Sequence, residues 1–273
     1  MKILVTGAGG QLGRALGPAL RKHEVVALER ARLDVTDAGA VREAVSAHGP
    51  ALVVNAAAYN AVDAAETDRE AAFRANALAP GLLAEAAHAA GASILHVSSD
   101  YVFEGEKGSP YDEADAPHPL SAYGESKLAG ERAVRDANPK HYVVRTAWVY
   151  AHGGKNFPST ILALAAKGPV RVVDDQRGSP TFAPHLAEAI ARLVEIPAFG
   201  IWHLAGAGEA SWYELTRALF RLRGIETPLH PVSTAEFPRR ARRPRLSSLV
   251  SAREPRIVLP PWEEGLAEFA RGL

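Results

Sequence analysis

The order of apolar and helical stretches predicts an α/β chain built on a doubly wound parallel sheet, with a smaller C-terminal lobe. Three observations carry this. Short apolar strands alternate with helical patterns through the first 150 residues, which is the mark of successive βαβ units. A glycine-rich turn joins the first strand to the first helix. After residue 150 the alternation breaks, and Pro, Gly and Arg become frequent in "AHGGKNFP", "DDQRGSPTFAP" and "PRRARRPR".

The elements follow in order. "KILVTG" (2–7) is an apolar strand that ends on glycine, and "QLGRALGPALRKH" (11–23) has Leu12, Leu16 and Leu20 at helical spacing. "EVVALE" (24–29) is the second strand, and 34–48 is a helix for which Thr36 is the expected cap. "ALVVNAAA" (51–58) reads as a buried strand, and 67–91 as one long helix bent at Pro80. "ASILHVSS" (92–99), a helix over 120–137 and the strand "HYVVRTAWVY" (141–150) complete the first half. A helix at 184–195 and the strand "GIWHLAG" are expected to return to this sheet. Residues 1–150, with 182–205 returning, form the dinucleotide-binding (Rossmann) domain; 151–181 and 206–273 form the smaller, substrate-binding lobe.

Composition narrows the function. The 273 residues carry 31 Lys+Arg against 31 Asp+Glu, so no charge excess argues for nucleic acid or an anionic membrane. Cys is absent, which removes disulfides, thiolate catalysis and thiolate-bound metals. The apolar run near the start is short, and no window approaches a membrane span, so a cytoplasmic location is expected.

"TGAGGQLG" places Gly7, Gly10 and Gly13 directly after a strand and before a helix. That context suits a pyrophosphate: a tight turn, close backbone approach, and a helix N-terminus that attracts the anion. Glu29 stands where an acidic residue would hold the ribose 2′-hydroxyl, but Arg30 follows and would suit a 2′-phosphate. The pair leaves NADH and NADPH open. Asp34 and Val35, at the start of the next helix, could frame the adenine.

"SAYGESK" sets Tyr123 and Lys127 one helical turn apart, on one face. A lysine there stabilises a phenolate and makes the phenol a better proton donor. Upstream, Ser98 and Ser99 end the fourth strand beside the same crevice. A glycine turn, a serine and Y-x-x-x-K, in this order on these elements, suit hydride transfer to a carbonyl. No H-E-x-x-H, G-x-S-x-G or P-loop motif supports a zinc protease, an α/β-hydrolase or an NTPase.

These motifs, with "LDVTD", "VVNAAAYNAVDAAE", "SSDYVFEG", "YGESKLAGE", "RTAWVY", "DDQRGSPT", "RRP" and "PWEEGL", resemble the dTDP-4-dehydrorhamnose reductase family of extended short-chain dehydrogenases/reductases, along nearly the whole chain. The resemblance implies reduction of a dTDP-4-keto-6-deoxy sugar with NADPH or NADH. It assigns Ser99, Tyr123 and Lys127 to catalysis; the family usually has Ser-Thr before "DYVF", and Ser99 keeps the hydroxyl. It places Gly7, Gly10, Gln11, Leu12, Ala56, Ala57, Ala58, Asn76, Tyr123 and Lys127 beside the cofactor, with Asn76 supporting a proton path. It places Ser99, Asp100, Tyr101, Trp148, Asn156, Gln176 and Arg243 beside the substrate. Trp148 could equally be core, and Arg243 is the arginine of the basic loop chosen for the diphosphate. Some family members hold Mg²⁺ through glutamates at a dimer contact. Ala15 replaces one of these and Glu263 alone matches another, so Mg²⁺ is doubtful and a homodimer is left open. The other readings on this scaffold are a sugar-nucleotide epimerase or dehydratase, and a non-catalytic regulatory subunit of methionine adenosyltransferase.

Overall fold

The computed structural model describes residues 1–273. Its centre is a six-stranded, all-parallel sheet made by β1 (Lys2–Thr6), β2 (Glu24–Leu28), β3 (Leu52–Asn55), β4 (Ser93–Ser99), β5 (His141–Thr146) and a late edge strand, Gly200–His203, in the order late strand-β5-β4-β3-β1-β2. Successive side chains of a strand point to opposite faces, so β1 sends Ile3 and Val5 to one core and Leu4 to the other. The first core lies under α1 (Gln11–Ala19) and a later helix over Ala183–Leu193; Leu12, Leu16 and Leu20 meet Leu186, Ile190 and Leu193 there. The second core lies under α2 (Ala38–His48), where Val41 and Val45 are buried.

The expected long helix 67–91 is present as one unbroken helical run over 69–89, made of α4 (Arg69–Phe73), a π-helical turn at Arg74–Leu78 and α5 (Ala79–Ala89), and a separate short helix α3 (Val62–Ala65) precedes it. Pro80 has no N–H to give the carbonyl of residue 76, and the run takes up the mismatch as a wider π turn. The cap of α2 is Asp37, whose Oδ1 accepts from Gly39 N at 2.7 Å and Ala40 N at 3.0 Å. Thr36 instead donates to Asp34 Oδ1 at 2.8 Å.

The expected strand 141–150 is interrupted. After β5, Trp148 takes φ +47°, a left-handed conformation that a bulky residue rarely adopts. The chain resumes as β6 (Val149–Tyr150). Between β4 and β5 runs α6 (Ala122–Ala137), preceded by a 3₁₀ turn at Asp100–Val102. The remaining elements are α7 (Phe157–Ala165), β7 (Val170–Val173), β8 (Arg177–Gly178), β9 (Thr181–Phe182), α8 (Ala183–Leu193), β10 (Gly200–His203), β11 (Ala210–Ser211), α9 (Trp212–Arg223), β12 (Leu229–Val232) and α10 (Trp262–Arg271). Here β12 pairs with β7, β11 with β8 and β6 with β9. A separate cluster of Tyr150, Phe182, Leu215, Leu219, Leu266 and Phe269 packs α9 and α10 together. No helix is long and apolar enough to cross a membrane.

Candidate active site

The turn after β1 has a backbone only glycine can supply. Gly7 takes φ +69°, and a Cβ there would sit 2.5 Å from Ala57 N. A Cβ on Gly13 would strike the Gly7 carbonyl, so α1 can pack this close only with glycine. Gly10, at the cap of α1, has no side chain to bond the first N–H groups of the helix, which are left open.

Those groups open on a cleft of about 690 Å³, a size suited to a bound cofactor. Its walls include Gly7, Gly10, Arg30, Asp34, Val35 and the Ala56, Ala57 and Ala58 loop after β3. Two of the other proposed cofactor residues, Gln11 and Leu12, turn their side chains elsewhere, while their backbone N–H groups are among the first of α1. Leu12 is in the hydrophobic core, and the Gln11 amide oxygen accepts from Asn156 Nδ2 at 3.2 Å. Arg74, from the π turn, also lines the cleft and was not foreseen. Its sequence context is an ordinary helix face, and only the fold brings it beside Arg30.

The three expected catalytic side chains are not part of these walls; they lie beyond Asn60, which Tyr123 meets. Ser99 ends β4; its Oγ donates to Asp100 Oδ1 at 2.9 Å and accepts from Tyr101 N at 3.1 Å. Tyr123 and Lys127 share one face of α6 and are 8% and 1% exposed. The Tyr123 hydroxyl faces Ser99 and lies 3.5 Å from Asn60 Oδ1. Lys127 Nζ donates to the Val97 carbonyl at 2.7 Å.

The helix that carries them is fixed at its N-terminus and at its middle. Ser121 caps it through Gly124 N at 3.2 Å, and Glu66 of the turn after α3 accepts from Ala122 N at 2.9 Å. Two turns on, buried Glu131 takes a two-pronged hydrogen bond from Arg145 of β5, at 2.9 and 2.7 Å, and a third from Ser98 of β4 at 2.5 Å. A fully partnered buried pair of this kind sets the register of helix on sheet.

Burial dominates the site's electrostatics. It pushes the Tyr123 phenol above its ordinary value, offset by Ser99; Lys127 is not among the causes. The expectation that Lys127 lowers the Tyr123 pKa is therefore not met in this arrangement, because the ammonium is turned to Val97. Burial lowers Lys127 itself to about 8, with Glu131 opposing. It raises Asp100 to about 6, against hydrogen bonds from Ser247 and Ser99. His96, fully buried beneath Lys127, is held well below its usual value by burial and by that cation.

Asn76 does not face the cleft. Its Oδ1 accepts from Tyr59 N at 2.8 Å, and its Nδ2 donates to Tyr59 O and Ser126 Oγ, both at 3.0 Å. The side chain pins the loop after β3 to α6 and has no donor left over.

The proposed substrate residues divide. Tyr101 sits edge-on to Tyr123, with ring centres 5.5 Å apart. Asp100 is 2% exposed, behind Ser99. Trp148 stacks flat on Trp212 at 3.4 Å and lies against Gly178, where a Cβ would enter its ring. Asn156 is the cap of α7, accepting from Ser159 N at 3.0 Å. Gln176 is buried and donates to Thr234 Oγ1 at 2.9 Å. Arg243 pairs with Asp63 through both Nη atoms, at 3.1 and 3.0 Å. Nowhere do three or more His, Asp or Glu side chains gather closely enough to hold a metal ion.

A hydroxyl at a strand end, a buried phenol facing it and a lysine one turn behind supply what carbonyl reduction asks of a protein beside a bound dinucleotide. On a parallel nucleotide-binding sheet, this is the construction of a short-chain dehydrogenase/reductase. The family model for the RmlD substrate binding domain matches residues 1–273. The dTDP-4-dehydrorhamnose reductase of Streptomyces griseus is 44% identical over 279 residues, covering 97% of this chain and 91% of that protein. The crystal structure of a dTDP-4-dehydrorhamnose reductase from Clostridium acetobutylicum superposes with a TM-score of 0.96 at 40% identity, covering 99% of each chain. That of the Bacillus anthracis enzyme in complex with NADP gives 0.97 at 34% identity, covering 100% of this chain and 99% of that one. The chain belongs to the dTDP-4-dehydrorhamnose reductase family.

Proposed function

We propose that this chain reduces the 4-keto group of a dTDP-linked 4-keto-6-deoxy sugar, dTDP-4-dehydrorhamnose, to give dTDP-rhamnose, using NADPH or NADH. The observation that carries the reading is the meeting of Ser99 at the end of β4 with Tyr123 and Lys127 on one face of α6, the Tyr123 hydroxyl lying beside Asn60 of the wall of the cleft that the glycine turn opens. Gly7 and Gly13 let the turn and α1 pack against their own backbone neighbours, and the uncapped first N–H groups of α1 open on the cleft, so the residues present fit a dinucleotide. Gly7, Gly10 and the Ala56–Ala58 loop would hold it, with Arg30 and Asp34 at its adenosine end. When bound, the reduced nicotinamide supplies the hydride.

The chain's own groups do the rest. Ser99 turns its hydroxyl from Asp100 to the substrate carbonyl and polarises it. Tyr123 gives the oxygen its proton. Burial makes the phenol a weaker acid, but the alkoxide it meets is a far stronger base than a phenolate, so the transfer stays downhill. A neutral phenol is also guaranteed across the working pH range. Lys127, charged below about pH 8, would hold the nicotinamide ribose.

Residues 151–181 and 206–273 are read as the substrate lobe, with 182–205 belonging to the sheet. Tyr101 and Trp148 of the sheet domain and Gln176 of the lobe are the nearest candidates for sugar and base. Arg243 borders the crevice with the edge that Asp63 does not occupy. A cytoplasmic location follows from a substrate and cofactor of this kind.

The test is turnover. Purified protein is offered a panel of 4-keto-6-deoxy sugar nucleotides with each reduced cofactor, and loss of reduced nicotinamide is followed. Consumption with the dTDP-4-keto sugar and none without it supports the reading. No consumption with any member overturns it. Tightly copurifying NAD⁺ that is recycled without net reduction would favour an epimerase or dehydratase.

A further inference from the structure

The stretch "VVNAAAYNAVDAAE" ends on two carboxylates, Asp63 and Glu66, that the catalytic reading leaves without a task. Glu66 accepts from the first N–H of α6. Three residues earlier, Asp63 reaches across the crevice. Its Oδ1 accepts from Ala241 N and from Arg243 Nη1, both at 3.1 Å, and its Oδ2 from Arg243 Nη2 at 3.0 Å. Arg240 adds a bond to Thr67 Oγ1 at 3.3 Å on the same segment. The partners are nearly 180 residues apart, and they join the short helix α3 of the sheet domain to the basic loop of the C-terminal lobe.

Arg243 has five N–H donors. Asp63 takes two, and the Ala241 carbonyl takes another from Nη1 at 2.9 Å. The free edge of the guanidinium lies against the Tyr101 hydroxyl. Tyr101 in turn meets the Tyr123 ring edge-on at 5.5 Å. Behind the loop, Pro244 packs on Gly105 so closely that a Cβ there would fall 2.6 Å from it. The loop is therefore seated on both sides, and a continuous line of contacts runs from Asp63 to the catalytic phenol.

We propose that Asp63 is a positioning residue: its two-pronged pairing with Arg243 clasps the basic loop to the sheet domain and, through Tyr101, sets the ring of Tyr123 for proton transfer. This rests on the reductase reading of the site. The clasp exists before any diphosphate arrives, because every contact in it is supplied by this chain. A lysine at 243 could not maintain it, since an ammonium cannot give the planar fork that meets both carboxylate oxygens.

The test is a double-mutant cycle on holoenzyme, comparing wild type, Asp63→Ala, Arg243→Ala and the pair, with kcat, KM for the sugar nucleotide and Kd for NADPH measured on each. Each single change is expected to lower kcat by about 10- to 100-fold, the cost of a misplaced catalytic group. The pair should be no worse than either alone, because both break one coupled contact. NADPH Kd should be unchanged within about twofold, which separates positioning from general loss of structure. Asp63→Glu should recover part of kcat, and Arg243→Lys should not. Losses that multiply in the pair would overturn the proposal. So would a silent Asp63→Ala beside an Arg243→Ala that raises KM alone; Arg243 would then meet the diphosphate directly. A wild-type protein without reductase activity would sink the underlying reading instead.

Discussion

Lys127 Nζ gives its hydrogen bond to the carbonyl of Val97, 2.7 Å away at the end of β4, and not to the phenol of Tyr123. The cation is buried with Glu131 one turn behind it and neutral His96 beneath. Desolvation lowers its pKa from 10.5 to about 8. The folded value lies below the unfolded one, so the burial penalty is present in full below pH 8 and is relieved as pH rises from there toward 10.5. Its charge follows the opposite course, being present below pH 8 and lost above it.

That charge is what the nicotinamide ribose would meet. Binding of NADPH, followed by fluorescence titration from pH 6.5 to 9.5, is expected to weaken on the alkaline side with a midpoint near 8. Lys127→Met should bind weakly at every pH and show no such midpoint. A wild-type profile flat through pH 9 would mean that Lys127 keeps its proton or does not touch the cofactor.

Tyr123→Phe removes one oxygen and leaves the ring packed beneath Tyr101. Turnover should fall by about 10²–10⁴-fold, the range for loss of a general acid, while NADPH binding holds because the glycine turn is untouched. Near-normal turnover would move the acid to another residue.

Asp100 sits behind Ser99 at about pKa 6, above its ordinary 3.8. For a carboxyl raised in the folded state, stability is greatest while both states are protonated. It falls as pH rises from about 4 to 6 and stays low above that. Asp100→Asn removes the buried charge, so its Tm should exceed that of wild type at pH 7.5, with the gap closing toward pH 4. Ser99 loses its charged acceptor, and kcat/KM should drop by about tenfold, the worth of one hydrogen bond. Parallel Tm profiles for the two proteins would show that the fold does not raise the Asp100 pKa.

The sheet and its helices were legible because burial leaves a period. Leu12, Leu16 and Leu20 mark a helix face, and β1 alternates between two cores. The glycine turn and the Tyr123–Lys127 spacing were legible for the same local reason. What escaped depends on partners far away or on competition between neighbours. Thr36 and Asp37 are both good caps, and Asp34 draws off the threonine. The capping role of Asn156 shows only once α7 is seen to begin on it. The break at Trp148 answers to Trp212 and Gly178, well separated in the chain. The Asp63–Arg243 pair has no local signal at all, since either residue alone would pass for a solvated charge.

Cofactor choice turns on the far end of the cleft, where Glu29, Arg30, Asp34, Thr36 and Arg74 converge. Glu29 lies against Gly9, 3.2 Å from where a Cβ would stand. Thr36 holds the Asp34 carboxyl below its usual value with its amide and hydroxyl, and Arg30 and Arg74 add their charge. Arg74 Nη2 also reaches Thr36 Oγ1 at 3.4 Å. Two guanidinium groups around one small acidic turn suit a 2′-phosphate better than a bare hydroxyl, so NADPH is the expected preference. Arg30→Ala and Arg74→Ala should each raise KM for NADPH by about 10- to 100-fold, the scale of a charge-assisted hydrogen bond. KM for NADH should stay within about twofold of wild type, because only the 2′-phosphate engages these fork-shaped donors. Steady-state kinetics with both cofactors on the two variants decide it. Equal losses with NADH and NADPH would mean that the arginines hold the turn around Asp34 and Thr36 in shape, and that Glu29, through the ribose hydroxyls, sets the choice.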